Sequence, residues 1–223
     1  MTFMPSHTEE NYLKAIFKLA EEEPESTGVS TNRIAAALAT RAPSVTDMLR
    51  RLAEKNLLNY ERYRGVQLTA EGQRLALLTI RKHRLWEVFL VQQLGFSWDE
   101  VHEVAEELEH VQSPLLMRRL DAFLGHPAFD PHGDPIPAED GAIRRPAHRL
   151  LADLCLGDRG TLCAVKNTSA PFLQYLDKVG LQLGAAFEVL DKVMFDNSFE
   201  LRINQERTAL ISAEVSRNLF VTE

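Results

Sequence analysis

"PSVTDMLRRLAEKNLLNYERYRGVQLT", residues 43–69, is the stretch from which the rest of the chain can be read. In its first half Val45, Met48, Leu49 and Leu52 recur at i, i+3, i+4 and i+7, one face of a helix. Ser44, Thr46, Asp47, Arg50 and Arg51 are left facing outward, the layout of a recognition helix. Pro43 suits the first helical position, after a break at Arg41-Ala42. The second half alternates Leu58 and Tyr60 and, past Arg64-Gly65, Val66 and Leu68, which predicts a two-stranded hairpin. Upstream, Ser6 with Glu9 forms a capping-box pattern before Tyr12, Ile16, Leu19 and Ala20, and Ser30 can cap a short helix over "TNRIAAALAT". Three helices and a hairpin predict a winged helix-turn-helix.

Downstream the period stays helical. A long helix over about 70–94 ends at Gly95, and Ser97 with Glu100 is a second capping box, opening an acidic helix over 97–111. Ser113-Pro114 starts "PLLMRRLDAFL", stopped by Gly125. Leu85, Trp86, Phe89 and Leu90 supply more apolar surface than one helix of a small domain buries internally, which predicts a homodimer. Residues 126–147 hold five prolines and read as a semi-rigid linker. Beyond them, "TLCAVKN" and "AFEVLDKVMFDNSFELRIN" alternate like strands around a short helix, "APFLQYLDKVG". The expected fold class is mainly α with a small β domain. Its divisions are 1–72 for the winged helix, 73–147 for a helical metal-binding and dimerisation domain with its linker, and 148–223 for the β domain.

Composition narrows the function. No run approaches the ~20 apolar residues of a membrane span, so no membrane partner and a cytoplasmic location are expected. Cys155 and Cys163 lack C-x-x-C spacing and read as small core residues. His7, His126 and His148 read as surface residues. The net charge of −7 argues against a uniform nucleic-acid binder, but it is unevenly placed. Residues 1–84 hold 13 Lys/Arg against 10 Asp/Glu, whereas residues 85–223 hold 12 against 22. A weakly basic head precedes an acidic body.

The acid is concentrated in "VHEVAEELEH", residues 101–110, where His102, Glu106, Glu109 and His110 share one helical face and Val101, Val104, Ala105 and Leu108 the other. From Leu85 to Met117 there are seven acids and no lysine or arginine, a density that calls for solvation, protonation or a cation. His83 and Glu87, one turn apart on the preceding helix, add an imidazole and a carboxylate. Nitrogen and oxygen donors without sulfur suit Mn²⁺ or Fe²⁺. Enzymatic motifs are incomplete: "HEVAE" lacks the second histidine of a zinc protease helix, only one Glu-x-x-His pair exists, and there is no G-x-S-x-G, P-loop or G-x-G-x-x-G. An enzyme is therefore not expected. The rivals are a metal-dependent hydrolase or storage protein using the winged helix as an interaction module, and a metal-free regulator with an organic ligand.

The order of winged helix, "RKHRLWE", "VHEVAEELEH", "DPHGDPIP" and a terminal β domain resembles the diphtheria toxin repressor family of metal-dependent transcriptional regulators, over nearly the whole chain. The resemblance implies a C-terminal SH3-like β-barrel and two metal sites. His83, Glu87 and His102 match one, which Asp130 and His132 are implied to join. Glu106, Glu109 and His110 match the other, with Asn11 contributing from the first helix. Asn167 lies where family members carry a ligating acid. Asn11 departs from the usual Asp or Met, and Lys14 occupies a position that is acidic in some manganese sensors. Glu106 stands where iron sensors tend to have cysteine and manganese sensors glutamate, so the resemblance implies Mn²⁺ before Fe²⁺.

Operator DNA is the implied partner. Ser44, Thr46, Arg50, Arg51 and the wing residues Arg62, Tyr63 and Arg64 are expected on phosphates, with Arg41, Pro43 and Asp47 near base edges. Bound cations would neutralise the acidic cluster and fix the spacing of two recognition helices in a dimer.

Overall fold

A computed structural model of the chain describes residues 5–23, 26–61, 65–144 and 146–222. The chain divides into two compact units, and the boundary falls within one helix, between His83 and Arg84. The first unit takes in the chain up to His83, with Glu107–Pro114 and Pro137–Ile143; the second holds Arg84–Glu106, Leu115–Ile136 and Arg144 onward.

In the first unit α1 (His7–Glu22) opens on a complete capping box: the Glu9 N–H donates to Ser6 Oγ, and the Ser6 N–H donates to the Glu9 carboxylate. Ser30 caps α2 (Thr31–Ala37) through the Arg33 N–H. Helix α3 (Ala42–Glu54) starts one residue earlier than the proline suggests, so Pro43 takes the second position and Arg41 the N-cap, without a side-chain cap bond. Strands β1 (Leu58–Glu61) and β2 (Gly65–Leu68) pair antiparallel, Tyr60 opposite Val66. A bridge from Val29 to Val66 extends the hairpin. Leu13, Ile16, Ile34, Val45, Leu49, Leu52 and Val66 close one core with Leu75 and Ala76 from the start of α4 (Ala70–Leu94). Hence the period read in residues 43–69 is the period that packs.

The second unit carries the rest of α4, α5 (Val101–Leu108) up to Glu106, α6 (Pro114–Phe123) beyond its first residue, and a six-stranded antiparallel sheet. The sheet comprises β3 (Arg149–Leu150), β4 (Arg159–Val165), β5 (Ala186–Lys192), β6 (Phe199–Ile203), β7 (Arg207–Ile211) and β8 (Leu219–Thr222), in the order β3-β8-β4-β5-β6-β7. Inward residues Leu162, Phe187, Phe199, Leu201, Ile203, Ile211 and Leu219 pack against Leu173 and Leu176 of α7 (Ala170–Val179).

Four expectations change. The acidic helix begins at Val101: Ser97 gives its N–H to the Glu100 carboxylate and its side chain bonds Asp99, and residues 98–100 stay in a turn. Cys155 is exposed, lying in the loop after the 3-10 turn Leu151–Asp153 rather than in the core, and Cys163 is half-buried. Of the four apolar residues on α4, Leu85 and Leu90 are buried within the chain itself, so only the half-buried Trp86 and Phe89 keep surface that a partner could cover. Within the Pro-rich segment, residues 130–134 are more ordered than a semi-rigid linker implies: Asp130 Oδ1 accepts from the N–H groups of His132 and Asp134, and the His132 carbonyl accepts from Val165 of β4. No helix among the described residues is long and apolar enough to cross a membrane.

Candidate metal centre and nucleic-acid face

Glu87 lies on α4 with 2% of its surface exposed, beside its helix neighbour one turn back, His83. A buried carboxylate needs charged or donating partners. Its Oε1 is 3.3 Å from His102 Nδ1 on α5, and its Oε2 is 3.8 Å from His132 Nδ1. Asp130 and His132 come from the 126–137 turn, and with Glu87 they offer three ligand atoms within 4.8 Å of one another, all from buried residues.

Backbone groups set the orientation of this centre. His132 Nε2 is 2.8 Å from the Trp98 carbonyl oxygen, which can only accept; Nε2 therefore carries the proton and the Nδ1 lone pair of the neutral ring is left toward Glu87. Trp98 is itself held by its Nε1 bond to Asp177 of α7 at 3.0 Å. Arg84 clamps the turn from α4, donating to the Pro135 carbonyl at 2.6 Å and to Asp134 Oδ2 at 2.7 Å. Its Nε is 3.4 Å from Asp130 Oδ2.

Electrostatics at the centre follow from crowding. Burial, then the Asp134 and Glu87 carboxylates, push the Asp130 carboxyl up to about 7. Bonds to Glu106 and Glu87 raise the His102 imidazole to about 9. Burial works to lower His132, but its Glu87 neighbour outweighs it and the net direction is upward. Carboxylates and imidazoles thus share protons in a space whose donor set, nitrogen and oxygen without sulfur, fits a hard divalent cation.

The second set of sequence candidates is arranged differently. Glu109 is fully buried, and both its oxygens accept from the Lys14 ammonium, at 2.6 and 2.8 Å. His83 Nδ1 stands 2.6 Å from Glu109 Oε2. His110 Nδ1 is 2.6 Å from Glu10 Oε2, while Glu10 Oε1 accepts from Lys82 at 2.8 Å and Gln112 at 3.0 Å. Glu106 has a side chain 52% exposed, with its Oε1 3.5 Å from His102 Nε2. Asn11 is half-buried on α1. Asn167 is exposed, and its Oδ1 accepts from the Ser169 N–H at 2.9 Å at the start of α7.

Sequence reasoning does not single out Glu10, Lys82, Arg84 or Trp98. Glu10 and Lys14, four apart on α1, share a helical face, and that spacing is the signal that could have found Glu10. Trp98 acts through its carbonyl, which no residue type announces.

On α3, Val45, Leu49 and Leu52 are buried, while Arg41, Pro43, Ser44, Asp47, Arg50 and Arg51 are exposed or half-exposed. Thr46 is half-buried, its hydroxyl donating to the Ala42 carbonyl at 3.1 Å, and Arg50 is 3.6 Å from Asp47. Arg62, Tyr63 and Arg64 lie outside the described residues.

Residues 4–66 match the family model "Iron dependent repressor, N-terminal DNA binding domain", and residues 69–138 match "Iron dependent repressor, metal binding and dimerisation domain". Residues 149–223 match the "FeoA domain". The chain is 39% identical over 132 residues to the iron-dependent repressor IdeR of Mycobacterium leprae, covering 58% of this chain and 55% of the relative. It thus aligns with only about half the length of the first such relatives. It is 35% identical over 197 residues to the diphtheria toxin repressor of Corynebacterium glutamicum, covering 83% of this chain and 84% of the relative. A solved "Manganese-dependent transcriptional repressor complex with manganese" superposes with a TM-score of 0.86 at 37% identity, covering 96% of this chain and 98% of that one.

Proposed function

This chain belongs to the diphtheria toxin repressor family of metal-dependent transcriptional regulators, and from that premise we propose that it is a Mn²⁺-responsive repressor of metal-uptake genes that binds operator DNA as a cytoplasmic homodimer. The observation that carries the reading is the buried convergence of Glu87, Asp130 and His132, with His102 on the same carboxylate. These residues, all in the second unit, would hold the ion. When bound, the ion supplies the positive charge that lets Glu87 and Asp130 stay ionised together.

Around that centre the chain is read as a winged helix-turn-helix over 1–72, a dimerisation domain over 73–147, and an SH3-like barrel over 148–223. Arg41, Pro43, Ser44, Asp47, Arg50 and Arg51, with Thr46 and the wing residues Arg62, Tyr63 and Arg64, would meet the duplex. The dimer face falls on apolar residues left open in the second unit: Phe123 is 65% exposed, Leu115 53% and Leu116 40%. A second reading, Fe²⁺ as the physiological ion, is favoured by the iron-dependent repressors among the relatives. The same nitrogen and oxygen donors suit both ions, but the absence of a thiolate from the set favours Mn²⁺.

An electrophoretic shift of operator-length duplex tests the function. Tight binding with Mn²⁺ that is lost in chelator is expected; equal affinity in both would overturn the sensor reading. Anaerobic titrations separate the ions, since a response to Fe²⁺ at far lower free concentration than to Mn²⁺ would reverse their order.

A further inference from the structure

The second cluster of buried charge, wholly described within the first unit, carries an inference about how many ions this chain can hold. Four charged side chains meet there, the carboxylates of Glu10 and Glu109 and the ammonium groups of Lys14 and Lys82. Glu10, Lys14 and Glu109 are 4%, 7% and 0% exposed. Each carboxylate already faces an ammonium. Lys14 is bonded to both oxygens of Glu109, the geometry a buried ion pair needs to offset the loss of water. Both ring nitrogens of His110 face the cluster's carboxylates, Nδ1 at 2.6 Å from Glu10 Oε2 and Nε2 at 3.9 Å from Glu109 Oε1.

A second cation does not fit this donor set. Family resemblance would give it Glu109, His110 and Asn11, with Glu106. Glu109 has both oxygens on Lys14, Asn11 offers only a neutral carbonyl, and the cluster has no carboxylate unmatched by a lysine. A divalent ion seated against Glu109 would stand beside a buried ammonium, where low dielectric makes like-charge repulsion severe. Among the described residues the two convergent groups of three acid or histidine ligands both include Glu87, and neither includes Glu106, Glu109 or His110.

We propose that Lys14 is the resident cation of this cluster: its ammonium stands in for a second metal ion and ties α1 to the 107–114 segment whether or not metal is present. The Glu87 centre is then the one metal-responsive site, so the inference rests on the function proposed above and sharpens it. In this chain the tie that a second ion would otherwise make conditional is permanent.

Mn²⁺ titrated into the full-length protein, with free ion counted by electron paramagnetic resonance, tests this. Wild type should hold a single tight equivalent per protomer, lost in Glu87→Gln and retained in Glu109→Gln. Lys14→Gln, which removes the charge and keeps a polar chain, should gain a second equivalent that a further Glu109→Gln abolishes. Two tight equivalents in wild type, one of them lost in Glu109→Gln, would overturn the proposal. A folded Lys14→Gln that still holds one would overturn it too. Should Lys14→Gln fail to fold, the wild-type and Glu109→Gln counts decide alone. Wild type that binds no Mn²⁺ while Lys14→Gln binds one would instead sink the Glu87 reading and keep the role of Lys14.

Discussion

Gly133 has a φ of +87°, and a methyl group there would meet the Cys163 carbonyl oxygen at 2.1 Å and the Ala164 Cα at 2.5 Å. Left-handed backbone and close approach both demand glycine. The residue sits between His132, whose ring faces Glu87, and Asp134, which Arg84 clamps. Gly133→Ala should therefore cost roughly 2 kcal/mol or more through strain and overpacking, and lower Mn²⁺ affinity as well. Urea unfolding and a metal titration check it, and unchanged values in both would remove Gly133 from the support of the centre. The histidines and acids of this region are legible in "DPHG" and "VHEVAEELEH" because ligand chemistry is written in residue type. The partners that orient them are not. Lys14 and Glu109 are 95 residues apart, and Trp98 contributes a main-chain oxygen.

Helix α3 shows the opposite case, since every buried position on it follows from the period of three and four. Its exposed Arg50 and Arg51 lie on the face the packing leaves open. Replacing both by alanine should weaken binding to all duplex sequences alike and reduce the slope of log K against log salt by about 0.9 for each phosphate no longer neutralised. A slope that stays the same would take these arginines off the phosphate backbone. Helix α1 makes a different prediction. For Glu109, burial works to raise the pKa, but the His83 bond and the Lys14 charge outweigh it and hold the carboxyl below its ordinary 4.5. A folded-state value below the unfolded one means that the stability is present above pH 4.5 and lost as pH falls through the folded value. Thermal melts should thus lose stability on acidification below that pH, and Lys14→Gln should blunt the loss. The start of the acidic helix is illegible in the spacing because Ser-x-x-Glu also serves a turn, and the backbone at residues 98–100 takes the turn.

At the scale of the whole molecule, the question is which apolar surface a second copy would cover. Apolar periodicity points to Leu85, Trp86, Phe89 and Leu90, but Leu85 closes the small core with Met117 and Leu120, Leu90 is likewise buried, and Trp86 and Phe89 are half-buried against that core. Periodicity marks an apolar face without saying whether the chain or a partner covers it. What stays exposed is Phe123, at 65% and with its ring centroid 6.3 Å from that of Phe89, on the same helix as Leu115 at 53%. A charge set into a face buried between two copies is costly, whereas on an exposed surface it is nearly neutral. Phe123→Asp should therefore convert the protein to monomer in sedimentation at micromolar concentration, with its thermal stability as an isolated chain little changed. The proposed ligands around Glu87 lie in one chain, so the same variant should still take up Mn²⁺. Its operator binding should nonetheless fall steeply, because two half-sites held together by one dimer contribute jointly to affinity. A Phe123→Asp protein that remains dimeric would move the interface elsewhere. One that is monomeric yet binds operator as tightly as wild type would break the link between dimerisation and recognition.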